Sequence, residues 1–362
     1  MLKSRNINNT YMDIKQLLQL TIDKNASDLH IISGMPPVIR VEGVLSPVTG
    51  ESILNPEMIA GFFKEVLKTE QMERFSVNRE LDFSLAFNEK ARFRINAYTQ
   101  KGNPAMAFRR VPIDVPDITS LKLPKIINSF SELKQGLVLV TGPTGHGKST
   151  TLAAILNEIN KTRAEHIITI EDPIEFILKP IKSIISQREM GTDTHSWQIA
   201  LRSVLREDPN VVLVGEMRDF ETIASALTVA ETGHLVFATL HTNSASQTVD
   251  RIVDVFPREQ QGQIRIQLAN VIEAVFSMRL VPSITGGRVV AYETMLASSA
   301  IRNSIREGKT QQIDNVIQTS SELGMGTLEM SLATLIKQGL VSAEVAYSYA
   351  LRPEEVARLI KS

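Results

Sequence analysis

The sequence predicts an α/β protein, with a parallel, helix-flanked sheet in its larger part and a smaller α+β domain before it. Three observations support this fold class. In the second half of the chain, short apolar segments typical of buried strands alternate with helical segments. A glycine-rich phosphate-binding pattern follows the first of these strands and precedes a helix, which is the usual context of such loops. Residues 12–111 instead contain several short strand-like segments between helical patterns.

The composition indicates a folded protein whose main partner is not a nucleic acid. Of the 362 residues, 43% are hydrophobic, which supports sizeable cores. The 39 basic and 40 acidic side chains give a net charge of −1, and 5% of the residues are aromatic. Nucleic-acid-binding proteins generally carry a basic surface, and single-strand binders add stacking rings. We therefore expect no nucleic-acid partner, although these totals are compatible with a local basic patch.

The sequence also bounds the location of the protein. It contains no cysteine, which excludes disulfides and thiolate zinc sites and fits a reducing compartment. No apolar run approaches the ~18 residues of a membrane span. The N-terminal "MLKSRNINNTYM" lacks the apolar core of a secretory signal. We expect a soluble, cytoplasmic protein that reaches a membrane only through a partner.

Changes in composition along the chain predict four segments. Residues 1–11 are polar and without periodicity, so we expect a disordered N-terminal extension. Residues 12–111 form the predicted α+β domain. Residues 112–124 are rich in proline, which stops both helices and strands, so this segment is the predicted interdomain linker. Residues 125–362 form the predicted nucleotide-binding domain, and its last part, from about Ala300, has a helical pattern to the end.

Each predicted element of the α+β domain has its own pattern. From Met12, "MDIKQLLQLTIDKNA" shows the apolar spacing of an amphipathic helix. Strand-like runs follow in "SDLHIIS" and "PPVIRVEGVLSPV", and a helix is predicted from about Met58 to Phe75. The segments "LDFSLAF", "ARFRINAYTQ" and "AMAFRRV" then indicate paired strands.

Four apolar segments of the larger domain predict buried strands. They are "GLVLVT", "HIITIE", "NVVLVGE" and "HLVFATL", and helical stretches lie between them. This alternation predicts a parallel sheet with helices on both of its faces.

The phosphate-binding pattern G-x-x-x-x-G-K-[ST] runs from Gly142 to Ser149. The N–H groups of such a loop and of the following helix bind phosphate oxygens, so a nucleoside triphosphate is the expected ligand. We expect Lys148 to reach the β- and γ-phosphates and the Ser149 hydroxyl to hold Mg²⁺. A chance match in a glycine-rich turn is the alternative, which the flanking strand and helix disfavour. The predicted cradle comprises consecutive residues: Gly142, Pro143, Thr144, Gly145, His146, Gly147, Lys148, Ser149 and Thr150.

His146 occupies a free position of this pattern. The main chain forms the cradle, so the pattern tolerates a ring at this place. The imidazole is either an additional donor to phosphate or a side chain that faces solvent. We favour the solvent-facing interpretation.

Acidic side chains follow two of the predicted strands. Glu216 ends "NVVLVGE", where phosphate-loop enzymes place a Mg²⁺-linked acid, and its length allows contact through a metal-bound water. Glu171, Asp172 and Glu175 cluster in "IEDPIEF", just past another strand. Ligands of open parallel sheets bind at the carboxyl ends of the strands. We therefore favour water-orienting groups over a solvated turn.

Two histidines lie at opposite ends of the strand in "TGHLVFATLHT". A strand of seven residues spans up to roughly 23 Å. His234 and His241 therefore cannot both touch one γ-phosphate within one subunit. His241, at the carboxyl end, is the γ-phosphate candidate. We expect His234 to be structural or to face a neighbouring subunit.

The motifs together resemble those of a known superfamily. "GPTGHGKST", "IEDPIEF", "VGEMRD" and "TGHLVFATLHT" are similar to the Walker A, Asp, Walker B and His boxes of the ATPases that drive type II secretion and type IV pili. The resemblance begins at Met12 and covers essentially all of the chain from there. The short N-terminal domain, the absence of a tetracysteine motif and "AIRNSIREG" resemble the PilT-type retraction ATPases. Ser304 replaces a leucine of their AIRNLIRE motif, which we expect to weaken apolar packing, and His146 replaces the usual serine or threonine.

The resemblance implies a RecA-like ATPase core that binds ATP and Mg²⁺, a PAS-like N-terminal domain and a homohexameric ring. It implies that Glu175 and Glu216 serve water activation and the Mg²⁺ shell. The sequence leaves open which of the two is the base, and we favour Glu175 because Glu216 has the position expected for metal. The resemblance also adds three residues to the nucleotide site: Glu171, Asp172 and His234.

The resemblance further implies that the N-terminal domain supplies two arginines to a nucleotide. By position in "ARFRIN" and "AFRR" these are Arg94 and Arg109. Arginine neutralises charge on a transferring phosphoryl group, which suits this role. Without the resemblance, two surface arginines on a hairpin would be the preferred interpretation.

The implied function is a motor for pilus retraction and twitching motility. ATP would close the cleft between the domains about the linker 112–124, and the ring would act on an inner-membrane platform protein, with or without a second retraction ATPase. The protein would then be peripheral at the inner membrane. Alternatives are an accessory retraction ATPase, an extension or secretion motor, a nucleic-acid motor and a non-enzymatic nucleotide sensor.

Overall fold

The computed structural model describes residues 12–87, 91–111 and 115–361. The chain divides into two compact units, Met1–Asp114 and Val115–Ser362. This division lies inside the segment predicted as a linker. The predicted N-terminal extension, residues 1–11, lies outside the described residues.

The first unit contains a six-stranded antiparallel sheet with strand order β3-β2-β1-β6-β5-β4. Its strands are β1 (Asp28–Ile31), β2 (Val38–Val41), β3 (Val44–Pro47), β4 (Glu80–Ala86), β5 (Arg92–Gln100) and β6 (Asn103–Val111). Its helices are α1 (Ile14–Asp23), α2 (Pro56–Val66) and α3 (Thr69–Asn78).

Helix α1 begins with a reciprocal cap. The Asp13 carboxylate accepts the N–H of Gln16 at 2.8 Å, and the Gln16 amide oxygen accepts the N–H of Asp13 at 2.9 Å. These bonds satisfy two N–H groups that have no partner inside the helix. Leu17 and Leu18 then face the core of the unit, as the sequence periodicity predicts.

The helix predicted from Met58 to Phe75 is wrong in one respect, because the structure forms two helices there. Leu67 is extended, with φ −95° and ψ 138°, and ends α2. Lys68 precedes α3, and its N–H donates to the Gln71 side chain at 2.9 Å. Apolar spacing continues across the break, so periodicity alone did not reveal it.

The second unit contains a seven-stranded sheet with strand order β13-β12-β7-β11-β10-β8-β9. Its strands are β7 (Gly136–Thr141), β8 (His166–Glu171), β9 (Ile184–Glu189), β10 (Val211–Val214), β11 (Leu235–Leu240), β12 (Ile272–Pro282) and β13 (Arg288–Leu296). Its helices are α4 (Ile126–Glu132), α5 (Lys148–Thr162), α6 (Trp197–Val204), α7 (Phe220–Glu231), α8 (Ala245–Asp254), α9 (Arg258–Val271), α10 (Ser299–Arg306), α11 (Ile313–Thr319), α12 (Leu328–Lys337), α13 (Ala343–Tyr349) and α14 (Pro353–Lys361).

The predicted α/β fold class is confirmed. The four strands predicted for the larger domain form the centre of this sheet, and all of them are parallel. Strand β7 lies between β11 and β12, and β10 lies beside β11. The carboxyl ends of β7, β10 and β11 therefore meet at one edge, and the segments that follow them build the site.

Three strands of this sheet were not predicted. Strand β9 pairs with β8, and β12 pairs in parallel with β7 and antiparallel with β13. The sequence of β9, "IISQRE", lacks a continuous apolar run. β12 and β13 mix apolar and charged residues, so their pattern did not indicate buried strands. The helical C-terminal region expected after about Ala300 is present.

Ser304 lies on the buried side of α10, beside Ile301 and Ile305. Its hydroxyl donates to the carbonyl oxygen of Ala300 at 2.9 Å. The polar group therefore has a partner inside its own helix. The expected loss of packing relative to leucine stays a prediction.

The described part of the predicted linker packs with the second unit. Residues 115–124 contain turns and neither helix nor strand. Ile118 is buried in a cluster that includes Ile127 and Phe130 of α4. The role of residues 112–124 as a hinge stays a prediction. Within the described ranges, no helix combines the length and the hydrophobicity that crossing a bilayer requires.

Candidate active site

The phosphate loop follows β7, and two of its glycines, Gly142 and Gly147, lie where neighbouring atoms come close. Gly142 has a φ of 139°, and a Cβ built there would lie 2.3 Å from the carbonyl oxygen of Met278. Gly147, with φ 90°, precedes the first turn of α5, and a Cβ there would lie 3.3 Å from the Met278 methyl group. Side chains are disfavoured at both places by backbone conformation and by space. The loop therefore presents its backbone to a ligand at the N-terminus of a helix.

Lys148 is folded back onto this loop. Its ammonium group donates to the carbonyl oxygens of Gly142 at 2.8 Å and Pro143 at 3.0 Å, and the residue is 8% exposed. Burial lowers the pKa of Lys148, and the negative charges of Glu216 and Glu175 act in the opposite direction. The lysine is thus a buried cation within reach of two carboxylates.

His241 joins the phosphate loop to the acid at the end of β10. Its Nε2 lies 3.1 Å from Glu216 Oε1, and its Nδ1 lies 3.4 Å from the Lys148 ammonium nitrogen. A ring protonated on Nε2 fits both contacts, because Nε2 then donates and Nδ1 accepts. The structure therefore brings together three residues that the sequence predicted separately.

Glu216 is held as a carboxylate. Burial raises its pKa, but the hydrogen bond from Arg218 at 2.7 Å and the charges of His241 and Arg218 outweigh burial and lower it. The preceding Gly215 suits a tight place, since a Cβ there would lie 3.1 Å from the carbonyl oxygen of Ile170. The chain therefore passes close to β8 just before it presents the ionised carboxylate of Glu216.

The other acids lie at the end of β8 and differ in environment. The carboxyl of Glu171 accepts hydrogen bonds from the Thr169 hydroxyl at 2.6 Å and the Gln187 amide at 3.2 Å. Burial of this carboxyl raises its pKa. Asp172 and Glu175 are exposed. The charge of Glu175 acts on Lys148 and that of Asp172 on Arg218, so both carboxylates lie near charged groups of the site.

The surroundings of Ser149 fit a Mg²⁺ ion. Ser149 and Glu171 are polar groups in the lining of a mainly apolar pocket that also includes Gly215 and Thr239. Glu216 directly follows Gly215 but is not part of this lining. Mg²⁺ prefers oxygen ligands and retains several waters, so one hydroxyl and one carboxylate with phosphate oxygens suffice. Ser149 and Glu216 are therefore suitable residues to hold the ion.

His234 lies at the amino end of β11, away from the phosphate loop of its own chain. Its Nδ1 is 3.0 Å from the Val229 carbonyl oxygen and 3.0 Å from the Thr232 hydroxyl, both near the end of α7. Within one chain this histidine has a structural environment. Its role in nucleotide binding, through a neighbouring subunit, stays a prediction.

The solvent-facing interpretation of His146 is wrong. Its Nδ1 accepts the backbone N–H of Leu280 at 2.9 Å, and the ring is half-buried. Burial lowers the pKa of His146, and the cations Arg279, Arg288 and Lys148 lower it further. The ring is therefore a neutral acceptor. This contact was not predictable from the local pattern, because β12 was not predicted.

Glu293 on β13 is a residue that the sequence analysis did not identify. Its carboxyl is buried and accepts the N–H of Ala245 at 2.6 Å. Ala245 begins α8, four residues after His241, so Glu293 fixes the segment that carries this histidine. Burial raises the pKa of Glu293 to about 7.

The shift at Glu293 predicts a pH-dependent stability. A carboxyl with a pKa of about 7 when folded and 4.5 as its ordinary value binds its proton more tightly in the folded state. Stability is therefore lost as pH rises from about 4.5 to about 7. Glu293→Gln keeps an oxygen for Ala245 without charge, so we expect it to stabilise the protein by up to about 3 kcal/mol at pH 8 and by little at pH 5.

Urea unfolding of both proteins at the two pH values measures this difference. Glu344→Gln, on the exposed surface of α13, is the matched control and is expected to change little at either pH. Equal stability of wild type and Glu293→Gln at pH 8 would contradict the prediction.

In the first unit, Arg94 and Arg109 are direct cross-strand neighbours on β5 and β6. Arg109 in turn lies opposite Asp28 on β1, and its Nε donates to that carboxylate at 3.0 Å. Like charges placed opposite each other destabilise a sheet. Arg94 is exposed, and Asp28 partly offsets the charge of its neighbour Arg109, so the role of both arginines toward a nucleotide stays a prediction.

Comparison with known proteins gives consistent matches. The family model described as type II/IV secretion system protein matches residues 5–286. The chain is 47% identical over 343 residues to the type IV pilus retractation ATPase PilT of Pseudomonas aeruginosa, covering 95% of this chain and 99% of that protein. It is 45% identical over 345 residues to a twitching motility protein of Neisseria gonorrhoeae, covering 95% of this chain and 92% of that protein.

A solved structure is also similar over nearly the whole chain. It is the crystal structure of the pilus retraction motor PilT with bound ADP, with a TM-score of 0.90 and 44% identity. The match covers 96% of this chain and 99% of that one. The similarity therefore includes both units.

Proposed function

The chain belongs to the family of type II/IV secretion system proteins, and we propose that it is a hexameric ATPase that powers retraction of type IV pili by disassembling the pilus at the inner membrane. The observation that carries this proposal is the convergence of Lys148, His241 and Glu216 at one sheet edge, with His241 3.1 Å from Glu216. A relative that is similar over nearly the full length is a pilus retraction ATPase.

Nucleotide binding is expected to rearrange Lys148. In the structure its ammonium group bonds to two loop carbonyls and faces His241 Nδ1. The phosphates of ATP offer stronger, charged acceptors for the same group. We propose that Lys148 leaves Gly142 and Pro143 for the β- and γ-phosphates, and that His241 then faces the γ-phosphate.

Water activation is assigned to Glu175. Its carboxylate is exposed and carries charge close to Lys148, whereas Glu216 is already engaged by Arg218 and His241. A base needs a free carboxylate oxygen within hydrogen-bond reach of the attacking water. Asp172 and Glu171 lie at the same end of the sheet. We propose that Asp172 orients Arg218 and that Glu171 holds the lining of the pocket in place.

The Ser149 hydroxyl and the Glu216 carboxylate, the latter through water, are the proposed Mg²⁺ ligands. When bound, Mg²⁺ would neutralise negative charge on the β- and γ-phosphates. Thr150 and the remaining loop residues contribute backbone N–H groups at the start of α5.

Arg94 and Arg109 are proposed to complete the site of a neighbouring subunit in the ring. Exposed arginines can neutralise charge on the phosphoryl group during transfer. A motion of the two units of one subunit about residues 112–124 would then move the arginines that complete the site of the next subunit. The proposed partners are further copies of this chain and an inner-membrane pilus platform protein, with a second retraction ATPase as an additional partner. The protein would be cytoplasmic and peripheral at that membrane.

The arginine assignment predicts that specific activity depends on protein concentration. We expect phosphate release per subunit to rise as wild-type protein is concentrated, because each site needs a neighbour. Arg94→Ala is expected to lower turnover by about 10³-fold or more. Lys64→Ala, which removes an exposed charge from α2 of the same unit, is the control and is expected to behave like wild type. Flat specific activity together with a silent Arg94→Ala would show that each chain hydrolyses ATP alone.

Deletion of the gene separates retraction from the related functions. Hyperpiliated cells without twitching motility are expected for a retraction motor. Loss of pilus assembly would instead indicate an extension motor. DNA-stimulated ATPase activity would support a nucleic-acid motor.

A further inference from the structure

The phosphate loop contacts β12 beyond the point where that strand stops pairing with β7. β7 and β12 pair in parallel up to Thr141 opposite Ser277, and β12 continues to Pro282. Beyond Ser277, backbone groups of β12 on this side face the phosphate loop instead of a strand. The ring of His146 accepts the N–H of Leu280 there, at 2.9 Å. The histidine thus takes the place of a missing strand partner.

Other contacts bring the same stretch of β12 against the loop. The side chains of Met278 and Leu280 lie next to Gly147, and the Thr151 hydroxyl donates to the Met278 sulfur at 3.3 Å. These contacts are apolar or weak, and they impose little directional constraint on the loop. The bond from Leu280 to His146 is the directional contact among them.

The opposite face of β12 is held by the C-terminal helices. Side chains alternate along a strand, so Arg279 points away from the loop-facing Met278 and Leu280. Arg279 donates to the carbonyl oxygen of Tyr349, the last residue of α13. The Tyr349 ring lies 6.5 Å from the ring of His146, measured between centroids. One short strand segment therefore contacts both the phosphate loop and the C-terminal helical region.

We propose that His146 is a positioning residue that holds the phosphate loop, through its acceptor nitrogen and Leu280, in the conformation that binds nucleotide. This inference rests on the proposed ATPase function. It assigns the fastening of the loop to β12 to a hydrogen bond that spans 134 positions of the sequence, and a longer contact from Arg288 to the Gly145 carbonyl oxygen, at 3.4 Å, adds to it. Because β12 also carries Arg279, the docking of α13 supports the same geometry. His146 itself makes no contact with the reacting atoms in this role.

Three variants test the proposal, with a fluorescent ATP analogue as the probe in a binding titration. His146→Phe keeps a ring and removes the acceptor, and His146→Ala removes both. His146→Asn places an amide oxygen near the position of Nδ1 and keeps the acceptor. We expect His146→Phe and His146→Ala to weaken binding about tenfold, since an unpaired Leu280 N–H at the loop disfavours the conformation that binds nucleotide. His146→Asn is expected to stay within about threefold of wild type.

Two further readouts separate positioning from general damage. KM for ATP is expected to rise about tenfold in His146→Phe while kcat changes less than about threefold. Hydrogen exchange of the Leu280 amide is expected to accelerate in the Phe and Ala variants and to remain slow in His146→Asn. If His146→Phe does not fold, the Ala and Asn variants carry the same comparison.

The outcomes are distinct. Wild-type affinity in all three variants would overturn the proposal. Binding by His146→Asn as weak as that of His146→Phe would also overturn it, because loss of the acceptor could then not explain the weaker binding. Absence of nucleotide binding by the wild-type protein would overturn the proposed ATPase function and this inference with it. Weak Phe and Ala variants with a restored Asn variant would establish the positioning role.

Discussion

Replacing Lys148 by alanine is expected to abolish ATP turnover, with a loss of at least about 100-fold in kcat/KM. The ammonium group is buried and lies between the phosphate loop and His241, so no other cation of the loop can replace it. Its removal also leaves the Gly142 and Pro143 carbonyl oxygens without their donor. Steady-state phosphate release and nucleotide binding measure the two consequences separately.

The matched control for Lys148→Ala is Lys161→Ala. Lys161 lies in the last turn of the same helix, α5, and is exposed. We expect it to retain turnover within about twofold, since surface substitutions usually change little. Cells that carry Lys148→Ala should also fail to retract pili. Normal retraction in those cells would refute the motor assignment.

Replacing Glu175 by glutamine is expected to reduce turnover by about 10²–10⁴-fold while ATP binding is retained. The amide keeps the size of the side chain and removes its ability to accept a proton. Glu216→Gln is the comparison, because Glu216 has the position expected for metal and already bonds to Arg218 and His241. We expect Glu216→Gln to raise the Mg²⁺ concentration needed for half-maximal activity, and Glu175→Gln to leave that requirement unchanged.

Turnover of both variants as a function of Mg²⁺, beside binding of ATP, decides which carboxylate is the base. The opposite pattern would assign the base to Glu216 and the metal shell to Glu175. Equal activity of Glu175→Gln and wild type would remove Glu175 from the chemistry. Glu158→Gln, in the loop-distal half of α5, supplies a control for loss of one negative charge.

Much of the candidate site was predictable because its signals are local. The phosphate loop is recognisable since glycine is needed where φ is positive and where Met278 comes close, and both needs are met within eight consecutive residues. Glu216 and His241 each follow a buried strand within two residues of its end. Parallel strands place their carboxyl ends at one edge, so their convergence followed once the strands were identified.

The N-terminal unit shows where local signals fail. The break between α2 and α3 depends on one extended residue, Leu67, inside a continuing apolar period. Periodicity reports which side of a segment is buried and contains little information about a single residue that leaves the helix. Capping residues such as Lys68 and Gln71 mark the break only after the backbone is known.

By itself, the sequence determined the fold class, the nucleotide loop, the acids and histidines of the boxes and the family they resemble. Only the tertiary structure decided that His146 is an acceptor for Leu280, that Glu293 holds the start of α8, and that Lys148 and Glu216 share His241. The reason is physical. The first group depends on backbone conformation and on periodic burial, which neighbouring residues encode. The second depends on which strands lie side by side, β12 and β11 beside β7 and β13 beside β12, and that choice is made by packing between distant segments.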